Sequence, residues 1–199
     1  MGELAIRAAQ SSDLADFYRV ALLTGDSGSD ATGMHINDEM LGEVFVGPYV
    51  NLSLSSCFAL VSGLDVIGYG LCVPDTKSFE VASAKIWWPQ LQDKYEELKT
   101  QMESSWLLKE IFYPEPSPTE LLNEYPAHGH IDLLPEAQGK GWGRKMMQQM
   151  EYKLSEVGAS GFHLRVSPYN HRALDFYQAL GYRILLEKPN EIVVGKKLK

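Results

Sequence analysis

The chain has 199 residues, 45% of them hydrophobic and 22% charged, with a formal net charge of −8. That is the composition of a globular chain long enough to bury a full core as one domain over 1–199, and no apolar run approaches the ~18 residues that a membrane span requires. The acidic balance argues against a nucleic-acid partner, because phosphate backbones are gripped by a surplus of Lys and Arg.

In chain order, Met1 to Arg7 lacks the basic-then-apolar pattern of a secretory signal, so the expected location is the cytoplasm. Glu3 to Ala9 reads as a strand, and Ser12-Asp13 offers cap chemistry for a helix whose apolar positions Leu14, Phe17, Val20 and Ala21 recur every three to four residues. Thr24 to Gly33, rich in Gly, Ser and Asp, reads as a loop, with a second helix expected between it and an aromatic turn at Pro48. Residues 57–61 and 66–73 are β-rich apolar runs joined by Ser62-Gly63-Leu64-Asp65, the pattern of a hairpin. Cys57 and Cys72 fall inside these runs without basic neighbours, which suits buried reduced thiols better than a disulfide or a nucleophile.

From about 74 to 127 the character changes. Trp87, Trp88, Tyr95, Trp106, Phe112 and Tyr113 stand among charged residues, and Pro114, Pro116 and Pro118 close the segment, so it reads as an inserted helical element. Beyond it, His130 to Leu134 is a predicted strand, Gly141 to Val157 a helix and Phe162 to Val166 an alternating strand. Asn170 to Leu180 follows as a helix, with strands at Tyr182 to Leu186 and Ile192 to Val194. The order of elements is that of an α/β (α+β) fold.

The strongest chemical signal is Leu133-Leu134-Pro135-Glu136-Ala137-Gln138-Gly139-Lys140-Gly141-Trp142-Gly143-Arg144, a strand that passes through a proline turn and three glycines into a helix. Glycines let a backbone approach a ligand closely, and the unpaired amides at a helix start form an anion site. Tight packing alone would also explain such a turn. A Walker loop is excluded because Arg144 stands five residues after Gly139, and the same Arg144 breaks the dinucleotide pattern G-x-G-x-x-G. Lys140, Arg144 and Lys145 add positive charge, with simple solvation as the other reading of Lys145. On the preceding strand His130, Asp132 and Leu134 share one face and Ile131 and Leu133 the other. Asp132 and His130 are thus candidates for a general base, or for a structural hydrogen bond, with His128 a candidate relay. His128, His130 and Asp132 lack a further well-spaced ligand, so no metal site is expected.

Two motifs carry a family resemblance. Gln138-x-x-Gly141-x-Gly143 after a strand ending at Pro135 is similar to the Q/R-x-x-G-x-G/A signature of GNAT acetyltransferases. Asn170-x-x-Ala173-x-x-Phe176-Tyr177-x-x-Leu180-Gly181-Tyr182 resembles that family's second hallmark, with Tyr in place of its last Phe. His130 to Pro135, Val46-Gly47-Pro48-Tyr49 and the tryptophan pair further resemble the acetyltransferase-like domain associated with O-GlcNAc hydrolases and its stand-alone bacterial relatives.

The resemblance implies a central mixed, mostly antiparallel, twisted sheet flanked by helices, with the helical insertion between its third and fourth strands. It also implies acetyl-CoA as cofactor and direct acyl transfer to an amine through a tetrahedral intermediate, the acceptor being a small molecule or a peptide. The backbone of Gln138, Gly139, Lys140, Gly141, Trp142, Gly143 and Arg144 would hold the pyrophosphate, and that of Leu133 and Leu134 the pantetheine arm. The Leu133 N–H would stabilise the thioester oxygen. Tyr177 would protonate the departing sulfur, although its place on one helical face with Ala173 and Leu180 would equally suit packing. Asn170 would cap its helix and touch the cofactor. Two alternatives stay open: a cofactor-binding pseudoenzyme, and an interaction module using Trp87, Trp88 and Trp106. Assembly as a homodimer also stays open.

Overall fold

The computed structural model describes residues 2–199. Strand β1 (Leu4–Ala8) leads through a short turn into α1 (Leu14–Thr24), whose Phe17, Val20 and Ala21 are buried as their spacing predicts. The cap works backwards from its expected sense. The Asp13 carboxylate accepts from the Gln10 N–H at 2.8 Å and is held by the Arg7 guanidinium at 2.7 Å, so it ties β1 to α1. A loop follows to residue 39.

The single helix expected before Pro48 is two helices of six residues, α2 (Met40–Phe45) and α3 (Gly47–Leu52). Pro48 lies in the first turn of α3, where its missing N–H costs nothing, so it opens a helix rather than closing one. Strands β2 (Cys57–Ser62) and β3 (Asp65–Val73) form the expected hairpin, turning at Gly63, which takes a φ of 62°.

Six segments make the insertion. They are α4 (Thr76–Ala82), a π turn (Ser83–Trp87), α5 (Trp88–Tyr95), a 3-10 stretch (Glu96–Ser104), α6 (Trp106–Phe112) and α7 (Thr119–Glu124). Asp75 caps α4 by accepting the Ser78 N–H. The insertion has its own apolar cluster, in which Leu91, Tyr95, Leu107, Leu108 and Ile111 pack against Met40, Leu41 and Val44 of α2. Trp87 and Trp88 are half-buried against this cluster and not in the sheet core, and the Trp87 indole donates to the Glu43 carbonyl at 2.9 Å. Glu43 in turn receives Lys94 at 2.6 Å and the Tyr95 hydroxyl at 2.5 Å, so the polar atoms of this buried contact are paired.

Strand β4 (Ala127–Leu133) starts three residues earlier than predicted and stops before Leu134. Helix α8 (Trp142–Glu156), β5 (Gly161–Val166), α9 (His171–Ala179), β6 (Arg183–Lys188) and β7 (Glu191–Lys197) complete the chain. β5 does not alternate: apart from Arg165 it is buried throughout, because layers cover both of its faces. The seven strands form one sheet in the order β1-β2-β3-β4-β5-β7-β6, antiparallel except between β4 and β5. The insertion joins β3 to β4. No helix among the described residues is long and apolar enough to cross a membrane.

Candidate active site

The parallel pair β4 and β5 is registered at two positions only, Ala127 with Phe162 and His128 with His163. Beyond them the strands diverge. Leu134 N–H donates to the Ile67 carbonyl at 2.9 Å, so by alternation the even-numbered residues of β4 turn their backbone groups toward β3. Ile131 and Leu133 therefore turn theirs toward the gap. The Leu133 carbonyl is taken by the Gln138 side-chain amide at 2.6 Å, which pins the glycine loop to the end of β4.

The loop reaches α8 through Gly139 and Gly141, with φ of 70° and 80°, a left-handed backbone that L side chains adopt only with strain. A Cβ added at either would meet nothing within 4 Å, so both border open space. Gly143 has a different reason to be glycine. A Cβ there would lie 3.2 Å from the Phe176 ring, so its absence lets α8 and α9 close on one another. Helix α8 is fifteen residues long and buries Met146, Met147, Met150 and Leu154. Val157 is exposed because the helix ends one residue before it, and Gly158 follows in a left-handed conformation.

The first turn of α8 opens on a cleft of about 540 Å³. Its lining runs from Gln138, Gly139, Gly141, Gly143 and Arg144 past Leu133, Ile131 and Asp132 to Asn170, Phe176 and Tyr177. Asn170 caps α9 by accepting the Ala173 N–H at 3.0 Å. The opposite wall is Thr24 and Ser27 to Ser29 of the loop after α1.

At the inner end Tyr177 is buried and packs against Phe176 and Tyr182. Burial, and then the nearby Asp132 charge, hold its hydroxyl well above the usual tyrosine range, so it keeps its proton. Asp132 Oδ2 accepts from the Tyr69 hydroxyl at 2.5 Å and lies 3.0 Å from His130 Nε2. Burial works against a charged His130 ring. The Asp132 charge and hydrogen bond, with a further bond to the Phe45 backbone, outweigh it and raise the His130 pKa. His130 leads outward through ring contacts with Phe45 and then Trp106, which is exposed. His128 sits elsewhere, among Tyr49, Phe79 and His163, and burial holds it neutral. Among the described residues no cluster of His, Cys, Asp and Glu could hold a metal ion.

Residues 49–182 match the acetyltransferase (GNAT) family, which is more than half of the chain. The chain belongs to that family. The structure of SsHAT shares its fold with a TM-score of 0.88 at 26% identity, 98% of each chain being covered. A GCN5-related N-acetyltransferase from Kribbella flavida has the same fold at 16% identity, with a TM-score of 0.59 over 98% of both chains. Among curated proteins, the chain is 28% identical over 183 residues to Protein O-GlcNAcase of Rattus norvegicus, a match to 88% of this chain and 20% of that protein. The chain thus spans about a fifth of the length of the curated relatives it matches.

Within this GNAT fold, nine of the residues singled out from sequence line the cleft: Asp132, Leu133, Gln138, Gly139, Gly141, Gly143, Arg144, Asn170 and Tyr177. Four are not brought to it. Leu134 is buried, its N–H donating to the Ile67 carbonyl and its own carbonyl accepting from the Ala137 N–H. Lys140 folds back on the Glu136 carbonyl at 2.8 Å, and half-buried Trp142 carries the Lys145 ammonium over its ring at 4.0 Å. His130 stands behind Asp132, one contact removed. Sequence reasoning missed Arg172, the second cleft cation after Arg144, and the Thr24 and Ser27 to Ser29 wall. The Gly, Ser and Asp richness of that loop is the signal that could have found the wall.

Proposed function

We propose that the chain is an acetyl-CoA-dependent N-acetyltransferase that acts on an amine acceptor, a small molecule or a peptide. The observation that carries this reading is the left-handed Gly139 and Gly141 pair bordering open space at the start of α8, beside the unpaired edge of β4. Such a cradle fits a pyrophosphate, since the first amides of α8 have no partners within the helix. Arg144 and Arg172 line the same cleft and complement its charge.

Acetyl-CoA would supply an acetyl thioester there. The chain's own residues would do the rest. The Leu133 N–H, turned to the gap, would donate to the acetyl oxygen as negative charge gathers on it. Asp132, with His130 behind it, would take the proton that the acceptor nitrogen must lose. Tyr177, which keeps its proton, would give it to the departing sulfur. Calorimetry with acetyl-CoA, followed by a thiol-release assay over an amine library, tests the reading. Binding with thiol release in the presence of an amine is expected. Binding without release for any amine would leave a cofactor-binding pseudoenzyme, and absence of binding would overturn the proposal.

A further inference from the structure

Behind Asp132, at the inner end of the cleft, stands a residue that the steps above do not use. Tyr69, in the middle of β3, is fully buried, and its hydroxyl donates to Asp132 Oδ2 at 2.5 Å. His130 Nε2 is 3.0 Å from that same oxygen. A ring nitrogen and a carboxylate oxygen so close are joined by a proton on one or the other, so Oδ2 is engaged from two sides. Oδ1 has no hydrogen-bond partner among the described residues, and Asp132 lines the cleft.

We propose that Tyr69 is a positioning residue, which clamps Oδ2 so that Oδ1 faces the acceptor nitrogen and sets the pH at which the Asp132–His130 pair releases its shared proton. The inference rests on the acetyl-transfer reading given above. Two observations separate a clamp from ordinary core packing. A Phe at 69 would keep the ring contact with Phe17 at 5.4 Å, so packing alone does not call for a hydroxyl. The sheet register also sets Tyr69 directly opposite Asp132, which puts the hydroxyl and the carboxylate on one face.

The surroundings leave the pair's proton to these groups. From β4, His128 is held neutral by burial. From α9, Tyr177 keeps its proton. From α2, the Phe45 ring and backbone face His130, while the Glu43 carboxylate is turned to Lys94 and Tyr95. Arg144 and Arg172 lie along the cleft wall with the glycine loop and the start of α9. A hydroxyl that donates to a carboxylate steadies its charge and weakens its hold on a neighbouring proton. Removing that hydroxyl should let the pair keep its proton to higher pH, by about one unit for one hydrogen bond to a charged group.

Tyr69→Phe tests this with two readouts. In cofactor-free protein, side-chain NMR follows the His130 titration, with His130→Gln identifying the signal. The midpoint is expected to rise by about one pH unit in Tyr69→Phe and to fall in Asp132→Asn, where the anion is lost. In turnover, the acidic limb of the pH–rate profile is expected to move up by the same amount. kcat then drops about tenfold on that limb and far less on the alkaline plateau, while the Kd for acetyl-CoA is kept. A purely structural role would lower both ends together. An unchanged or lowered His130 midpoint in Tyr69→Phe would overturn the proposal. The expected His130 shift in Tyr69→Phe, together with a wild-type protein that transfers no acetyl group, would instead overturn the acetyl-transfer reading.

Discussion

The Tyr177 ring packs against Phe176 and Tyr182, and a phenol so buried beside the Asp132 charge is a better proton donor in waiting than a base. Tyr177→Phe is expected to lower turnover by roughly 10- to 1000-fold while leaving acetyl-CoA affinity unchanged, as steady-state rates and calorimetry would show. The two kinds of glycine in the loop make a sharper contrast. Gly141→Val forces a branched side chain onto a backbone at φ 80°, and is expected to abolish the rise in Tm on adding acetyl-CoA. Gly143→Val is expected to lower the Tm of the cofactor-free protein, because the new side chain collides with Phe176 and parts α8 from α9. Thermal scans with and without acetyl-CoA separate the two effects. The motif glycines were legible because a strand-loop-helix transition needs them, Asn170 because it has the side chain of a helix cap, and Gln138 and Tyr177 only through the motifs that resemble the family's. Arg172 was not, since an arginine in the first turn of a helix looks like any solvated cation until the cleft is seen.

The junction of β4 and β5 rests on two histidines that face one another across the register, with ring centroids 5.8 Å apart. Burial lowers both, His163 to about 4 and His128 well below the ordinary value of 6.5. The unfolded chain takes up protons on these rings near pH 6.5 and the folded one does not, so stability is complete above 6.5 and falls as pH drops from there toward 4. The slope is up to about 1.4 kcal/mol per pH unit for each ring. Denaturant titrations between pH 7.5 and 4.5 are expected to show this loss, with a shallower slope in His163→Gln. The loss would begin at the one parallel rung pair of the sheet. Periodicity made α1, α8, α9 and the hairpin legible, since each repeats its pattern over two turns or a full strand. It failed for α2 and α3, because six residues offer too few repeats, and α2 is buried by the insertion packed over it while α3 packs into the sheet core. Tyr69 was invisible for the opposite reason: within Val66 to Val73 an aromatic reads as core, and its hydroxyl finds meaning only opposite Asp132.

Taken whole, the molecule pairs a sheet-centred core with a second apolar cluster built by the insertion, and α2 belongs to that cluster while its Phe45 reaches His130. No Lys or Arg occurs between Arg19 and Lys77, whereas the first turns of α8 and α9 supply Arg144 and Arg172. The cleft thus has its cations on one wall, facing Thr24 and Ser27 to Ser29 in a stretch that carries none, an asymmetry that net charge alone concealed. The two-rung junction divides the sheet into blocks of four and three strands, β1 to β4 and β5 to β7. Amide hydrogen exchange should therefore show a comb along β4: His130 and Asp132 protected by β3, and Ile131 and Leu133, past the last rung to β5, exchanging fast. A ligand lodged between the blocks would behave as a surrogate strand, slowing the fast teeth of that comb and leaving the slow ones unchanged. Two leaves joined by two rungs would then become a single plate.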